Sequence, residues 1–71
     1  MYHIVRVYPR YSEVDNSLLG YNLVYARDGS NFNQSKFYTT QEAKTLFGVN
    51  DVSWCQNLVW KEVVLRLELK K

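Results

Sequence analysis

Over the first third of the chain, apolar residues alternate with polar ones at the two-residue period of a half-buried strand. Between residues 2 and 8, His3, Val5 and Val7 fall on one face, with Tyr2, Ile4, Arg6 and Tyr8 on the other. Their β-branched and aromatic content predicts a first strand. Pro9 has no N–H to give to a ladder and residues 12 to 17 have little to bury, so residues 9 to 18 read as a loop. Gly20 opens a second strand in which Tyr21, Leu23 and Tyr25 alternate with Asn22, Val24 and Ala26. Arg27-Asp28-Gly29-Ser30 follows, and Asp-Gly supplies the positive φ of a tight hairpin turn. A third, short strand is expected within residues 33 to 38.

The period then changes. Thr39-Thr40-Gln41-Glu42 has the spacing of a capping box, and Ala43, Leu46 and Phe47 share one face at i, i+3 and i+4. A two-turn helix from about Thr40 to Phe47 is predicted, ending at Gly48. Residues 49 to 56 read as a loop, with a second helical turn capped by Asn50 as the alternative. From 58 to 69 the two-residue pattern returns: Val63, Leu65, Leu67 and Leu69 alternate with Val64, Arg66, Glu68 and Lys70. This predicts a closing strand, with a bulge or turn at Lys61-Glu62. The fold class expected is α+β: a small, mostly antiparallel sheet of three to five strands with one short helix on one face, in the order β-β-β-α-β. The chain reads as one domain over residues 1–71, without repeats or linkers.

Composition narrows the picture. A domain this small buries roughly 60% of the surface of its unfolded chain, and its core rarely supplies more than about 3–5 kcal/mol. Cys55 is the only cysteine and His3 the only histidine, so neither an internal disulfide nor a Cys/His zinc site is available. Apolar residues make up 46% of the chain, with two Trp, six Tyr and three Phe, which separates it from disordered sequences. The formal charge is +2, too weak to demand a polyanionic partner and the wrong sign for an acidic DNA mimic. The first residues lack the continuous apolar stretch of a secretory signal, and no run approaches the roughly 20 residues of a membrane span. The expected address is the cytoplasm, of the host cell if the chain is phage-encoded, with no membrane partner.

No residue pattern nominates chemistry. His3 has no orienting group nearby in sequence, and Cys55 beside Trp54 reads as a small packed hydrophobe. The carboxylates have the spacing of loop, cap and strand-face residues, and the three glycines form no phosphate-cradling motif. No enzyme activity, metal or cofactor is expected. Arg6, Tyr8, Arg10 and Tyr11 cluster within six positions, and Arg27, Lys36 and Lys70-Lys71 extend their charge. Interleaved Tyr and Arg can stack bases and neutralise phosphates, yet they are also preferred anchors of protein interfaces.

The order of a hydroxyl-capped short helix, Leu46-Phe47-Gly48-Val49-Asn50, and the apolar-charged segment Val63-Val64-Leu65-Arg66-Leu67-Glu68-Leu69 resembles the small phage-encoded inhibitors of uracil-DNA glycosylase. The resemblance covers the second half of the chain. It implies a homodimer whose apolar pocket near the helix seizes a protruding apolar side chain of the enzyme, with Leu46 and Phe47 as the positions concerned.

The first functional expectation is therefore a non-catalytic protein-interaction module, an inhibitor of a host enzyme, which also forms a two-fold dimer to cover surplus apolar surface. The partner-binding candidates are Tyr21, Tyr25, Phe37, Leu46, Phe47 and Trp60. The alternative is a small nucleic-acid-binding domain using Arg6, Tyr8, Arg10 and Tyr11.

Overall fold

The structure, a computed structural model, describes residues 1–69. Three strands, β1 (Tyr2–Tyr11), β2 (Leu18–Arg27) and β3 (Asn33–Thr39), precede helix α1 (Thr40–Phe47), a 3-10 turn (Val52–Trp54) and helix α2 (Asn57–Leu69). The strands form one antiparallel sheet in the order β1-β2-β3, and both helices cover the same face of it. The expected α+β character and the order β-β-β-α are present, and so is the hairpin turn, with Gly29 at φ 83°.

The capping box closes as the sequence predicts. The Glu42 amide donates to the Thr39 hydroxyl at 3.1 Å, and the Thr39 amide donates to the Glu42 carboxylate at 3.1 Å. Those bonds hold the Glu42 carboxyl below its ordinary pKa. Gly48 ends α1 in the left-handed conformation at φ 72°, where a side chain would be strained. The connection that follows contains a 3-10 turn capped by Asp51, not Asn50: the Asp51 carboxylate accepts from the Ser53 amide at 2.8 Å.

Three expectations are corrected. Pro9 lies inside β1, not in a loop; β1 is an edge strand, where a missing N–H can face away from the ladder. Val5 is a bulge, so Ile4 pairs with Tyr25 and Arg6 with the next residue, Val24. The extra residue reverses the alternation beyond it. Tyr2, Ile4 and Val7 pack inward, and Val5 is exposed.

The closing strand is a helix. Trp60, Val63, Val64 and Leu67 recur at i, i+3, i+4 and i+7, and these, with Val59, are the α2 residues that meet the core. Leu65 and Leu69, expected on a buried strand face, are 50% and 76% exposed. Leu, Arg, Glu and Lys all favour helix. The Tyr2 amide donates to the Glu68 carboxylate, tying the end of α2 to the start of β1.

The core lies between the sheet and the helices: Tyr21, Leu23 and Tyr38 from the strands, Ala43 from α1, Val49, and Trp60, Val63 and Val64 from α2. Its centre is aromatic. The Trp60 ring lies 5.7 Å from both Tyr21 and Tyr38 and 6.1 Å from Phe47, and its Nε1 donates to the Trp54 carbonyl at 3.0 Å. The Tyr38 hydroxyl is buried without a partner among the described residues, and burial pushes its pKa up to about 12.

Two outcomes test this packing. Val64→Asp unfolds the domain at room temperature, because an unpaired buried charge costs several kcal/mol, whereas Leu65→Asp folds. Equal circular dichroism melts for the two would restore the strand. Tyr38→Phe raises the thermal midpoint, since it removes an orphan hydroxyl worth roughly 1–3 kcal/mol. It also removes the loss of stability between about pH 10 and 12 that arises because the unfolded tyrosine ionises before the folded one. A lower midpoint would mean the hydroxyl is satisfied in solution.

Candidate functional site

With both helices on one side, the other face of the sheet is uncovered. The strand register decides what it displays. Tyr8, Asn22 and Phe37 form one row across the three strands; Arg6, Val24 and Ser35 form the row on one side of it, and Arg10, Gly20 and Thr39 the row on the other. Thus Arg6, Tyr8 and Arg10, three of the four residues proposed for nucleic acid, share this face. The bulge at Val5 brings them there.

Tyr11, the fourth, does not join them. It pairs with Leu18, which packs against the core, so it belongs to the helix side of the sheet. Lys70 and Lys71, expected to extend the basic cluster, lie outside the described residues.

The outward side chains contact one another. The Arg6 guanidinium lies 4.5 Å from the centre of the Tyr8 ring, a cation–π pair. Arg10 Nη1 donates to Asn22 Oδ1 at 3.4 Å. Phe37 folds across Gly20: a Cβ there would fall 2.8 Å from the tip of the Phe37 ring and 2.1 Å from the Tyr38 carbonyl. Only glycine leaves that space. Phe37 is 41% exposed, Tyr8 half-buried, and Asn22, between them, only 7% exposed.

The strands are also segregated in charge. They contain Arg6, Arg10, Arg27 and Lys36 and no Asp or Glu; all seven carboxylates lie in turns, loops and helices. A net charge of +2 therefore divides into +4 on the strands and −2 on the rest of the sequence. Alternation puts Arg27 and Lys36 on the helix side, and the Lys36 ammonium lies 5.5 Å from the Tyr38 ring.

The six residues expected to meet a protein partner do not form one surface. Tyr21 and Trp60, 1% and 0% exposed, belong to the core and cannot touch a partner in the folded chain. With residues 58 to 69 read as a strand, nothing encloses these aromatics; α2 is what buries them. Tyr25 stands edge-on against Tyr2 at 5.3 Å, and Phe37 lies on the uncovered sheet face. Leu46 and Phe47 line a cleft of about 220 Å³ between α1 and α2, with Val63 and Leu67. Arg66 stands at its rim, its Nη1 donating to the Leu46 carbonyl at 2.9 Å. A larger hollow of about 550 Å³ separates the start of β1 from α2, but it is mostly apolar and its Glu68 is engaged by Tyr2.

The other reactive side chains are set apart. His3 Nδ1 lies 2.9 Å from the Asp28 carboxylate, an exposed pair at the far end of the sheet. This partner comes from the hairpin turn and is invisible at the level of sequence neighbours. Burial pushes the Cys55 thiol up, which keeps it protonated near neutral pH. Among the described residues no three His, Cys, Asp or Glu side chains gather as a metal site would require, and no helix is long and apolar enough to cross a membrane.

No protein-family model, curated protein or solved structure matches this chain.

Gly20→Ala tests how the face is built. The added methyl has to displace Phe37 and the β3 backbone, an overpacking cost of about 1–3 kcal/mol that lowers the thermal midpoint. In NMR spectra it shifts Phe37 and Tyr38 resonances while leaving α2 unchanged. An unperturbed Phe37 would show that the ring does not rest on Gly20.

Proposed function

We propose that this protein is a non-catalytic binding module that holds a nucleic acid against the uncovered face of its sheet. The observation that carries this reading is the joint arrangement of Arg6, Tyr8, Arg10 and Phe37 on one face of strands that contain no Asp or Glu. Cations on such a surface neutralise phosphates and release counterions, and aromatic rings beside them offer faces to bases. Weak net charge is no objection, because the negative charge resides in turns, loops and helices.

A second reading rests on the cleft between α1 and α2. It joins Leu46 and Phe47 with Val63 and Leu67, and about 220 Å³ admits one apolar side chain. In that reading the chain is an interaction module that grips a protein, such as a host uracil-DNA glycosylase, by a protruding apolar residue. Two-fold self-association belongs with it, and Tyr25, Phe37, Leu46 and Phe47 are the apolar groups left for the contact once Tyr21 and Trp60 are in the core.

Fluorescence anisotropy with labelled single- and double-stranded oligonucleotides separates the readings. Binding weakens as salt rises, and Arg6→Gln and Arg10→Gln each flatten the log–log slope by about 0.7 for a single strand, the value for one phosphate. Binding that is absent or indifferent to salt removes the nucleic-acid reading. If a host protein is then retained by the wild type and lost on Leu46→Asp, the second reading takes its place.

A further inference from the structure

We propose that the bound strand is single-stranded and that Asn22 reads the edge of one unpaired base, with guanine preferred over adenine and thymine. The inference rests on the nucleic-acid reading above and names the ligand of the same face. Tyr8 and Phe37 stand in one cross-strand row on either side of Asn22, two strand spacings or roughly 10 Å apart at the backbone. Rings so placed can take bases only if those bases are free to leave their own stack, which duplex bases are not. Arg6 over the Tyr8 ring extends that stacking surface with a cation.

Asn22 supplies the directional part. It is the most enclosed polar side chain of the face, at 7% exposure, and it forms the floor between the two rings. Arg10 Nη1 donates to its Oδ1, which turns Nδ2 away from Arg10. Nδ2 makes no hydrogen bond to the described residues. The amide hydrogens therefore offer donors where none of the described residues accepts them. The matching edge carries two adjacent acceptors. Guanine presents such a pair at N7 and O6, whereas adenine and thymine each present an acceptor beside a donor or a methyl group on that edge; unpaired cytosine carries an acceptor pair at N3 and O2 and is the competitor that the cytosine strand tests. The cations supply charge complementarity to the backbone, and Asn22 supplies the selection.

The test uses the full chain and four labelled oligonucleotides: a short oligo-dT, and the same strand with its central base changed to guanine, adenine or cytosine. Wild-type protein is expected to bind the guanine-containing strand about tenfold more tightly than oligo-dT, the scale of one good base contact. It is also expected to bind the duplex of each strand more weakly. Asn22→Leu erases the guanine preference, so that the guanine-containing strand and oligo-dT bind alike. Asn22→Ser, which retains a small polar group, serves the same test if Asn22→Leu does not fold. Equal binding of all four strands, a guanine preference that survives both substitutions, or tighter binding to duplex overturns this inference while leaving the nucleic-acid reading standing. Failure of wild-type protein to bind any strand overturns the broader reading instead.

Discussion

Trp60 is the side chain on which the two layers depend. Fully buried, it meets Tyr21 from β2, Tyr38 from β3 and Phe47 from α1, and its one polar atom is satisfied by the carbonyl of Trp54. Four elements and the 3-10 turn are thus joined through a single ring from α2. In a domain whose core supplies only about 3–5 kcal/mol, an aromatic of that size is a large share of what holds the fold. Burying it requires both helices on one side of the sheet. That requirement leaves the opposite face open.

What the open face carries is decided by one inserted residue. Unbroken alternation through β1 would put Arg6 and Tyr8 on the same side as Tyr2 and Ile4, beneath the helices. The bulge at Val5 lets Tyr2, Ile4 and Val7 all face the core while Arg6, Tyr8 and Arg10 face outward. Core and candidate site are therefore two consequences of one irregularity. A bulge also twists and interrupts an edge strand, which hinders pairing with a second copy along β1.

The sequence made much of this architecture legible, and the failures have physical causes. Asp-Gly, the Thr39–Glu42 box and Gly48 are local devices whose geometry depends on few neighbours, so the hairpin and α1 were readable. The bulge depends on which β2 residue each β1 residue faces, and a single strand's alternation cannot carry that information. In α2, positions 63, 65, 67 and 69 satisfy a two-residue period while 60, 63, 64 and 67 satisfy a helical one. Val64 separates them, because it is buried beside Val63, which no strand with one covered face permits. For the candidate site, the nearness of Arg6, Tyr8 and Arg10 in sequence was enough to nominate them. Phe37, Gly20 and Asn22 arrive from other strands and needed the register.

Two residues of the outer face break the local rules of a strand, and they do so side by side. Glycine in mid-strand costs about 0.5–1 kcal/mol relative to alanine. Gly20 has a structural return, since its missing side chain is the space in which Phe37 lies. Asn22 has no such return. Val24 and Ala26, on the same strand and face, are apolar; the amide of Asn22 is nearly enclosed, with one long hydrogen bond of 3.4 Å and no acceptor for its two donors among the described residues. An apolar residue of similar volume at that position would cost the fold only the long bond to the exposed Arg10, and exchanges of that kind are often close to neutral. Where a small domain with little stability to spare keeps a polar group whose donors its fold does not use, those donors are free for a partner outside the fold. That reasoning, applied to a face already supplied with rings and cations, is what the proposed selectivity of Asn22 rests on.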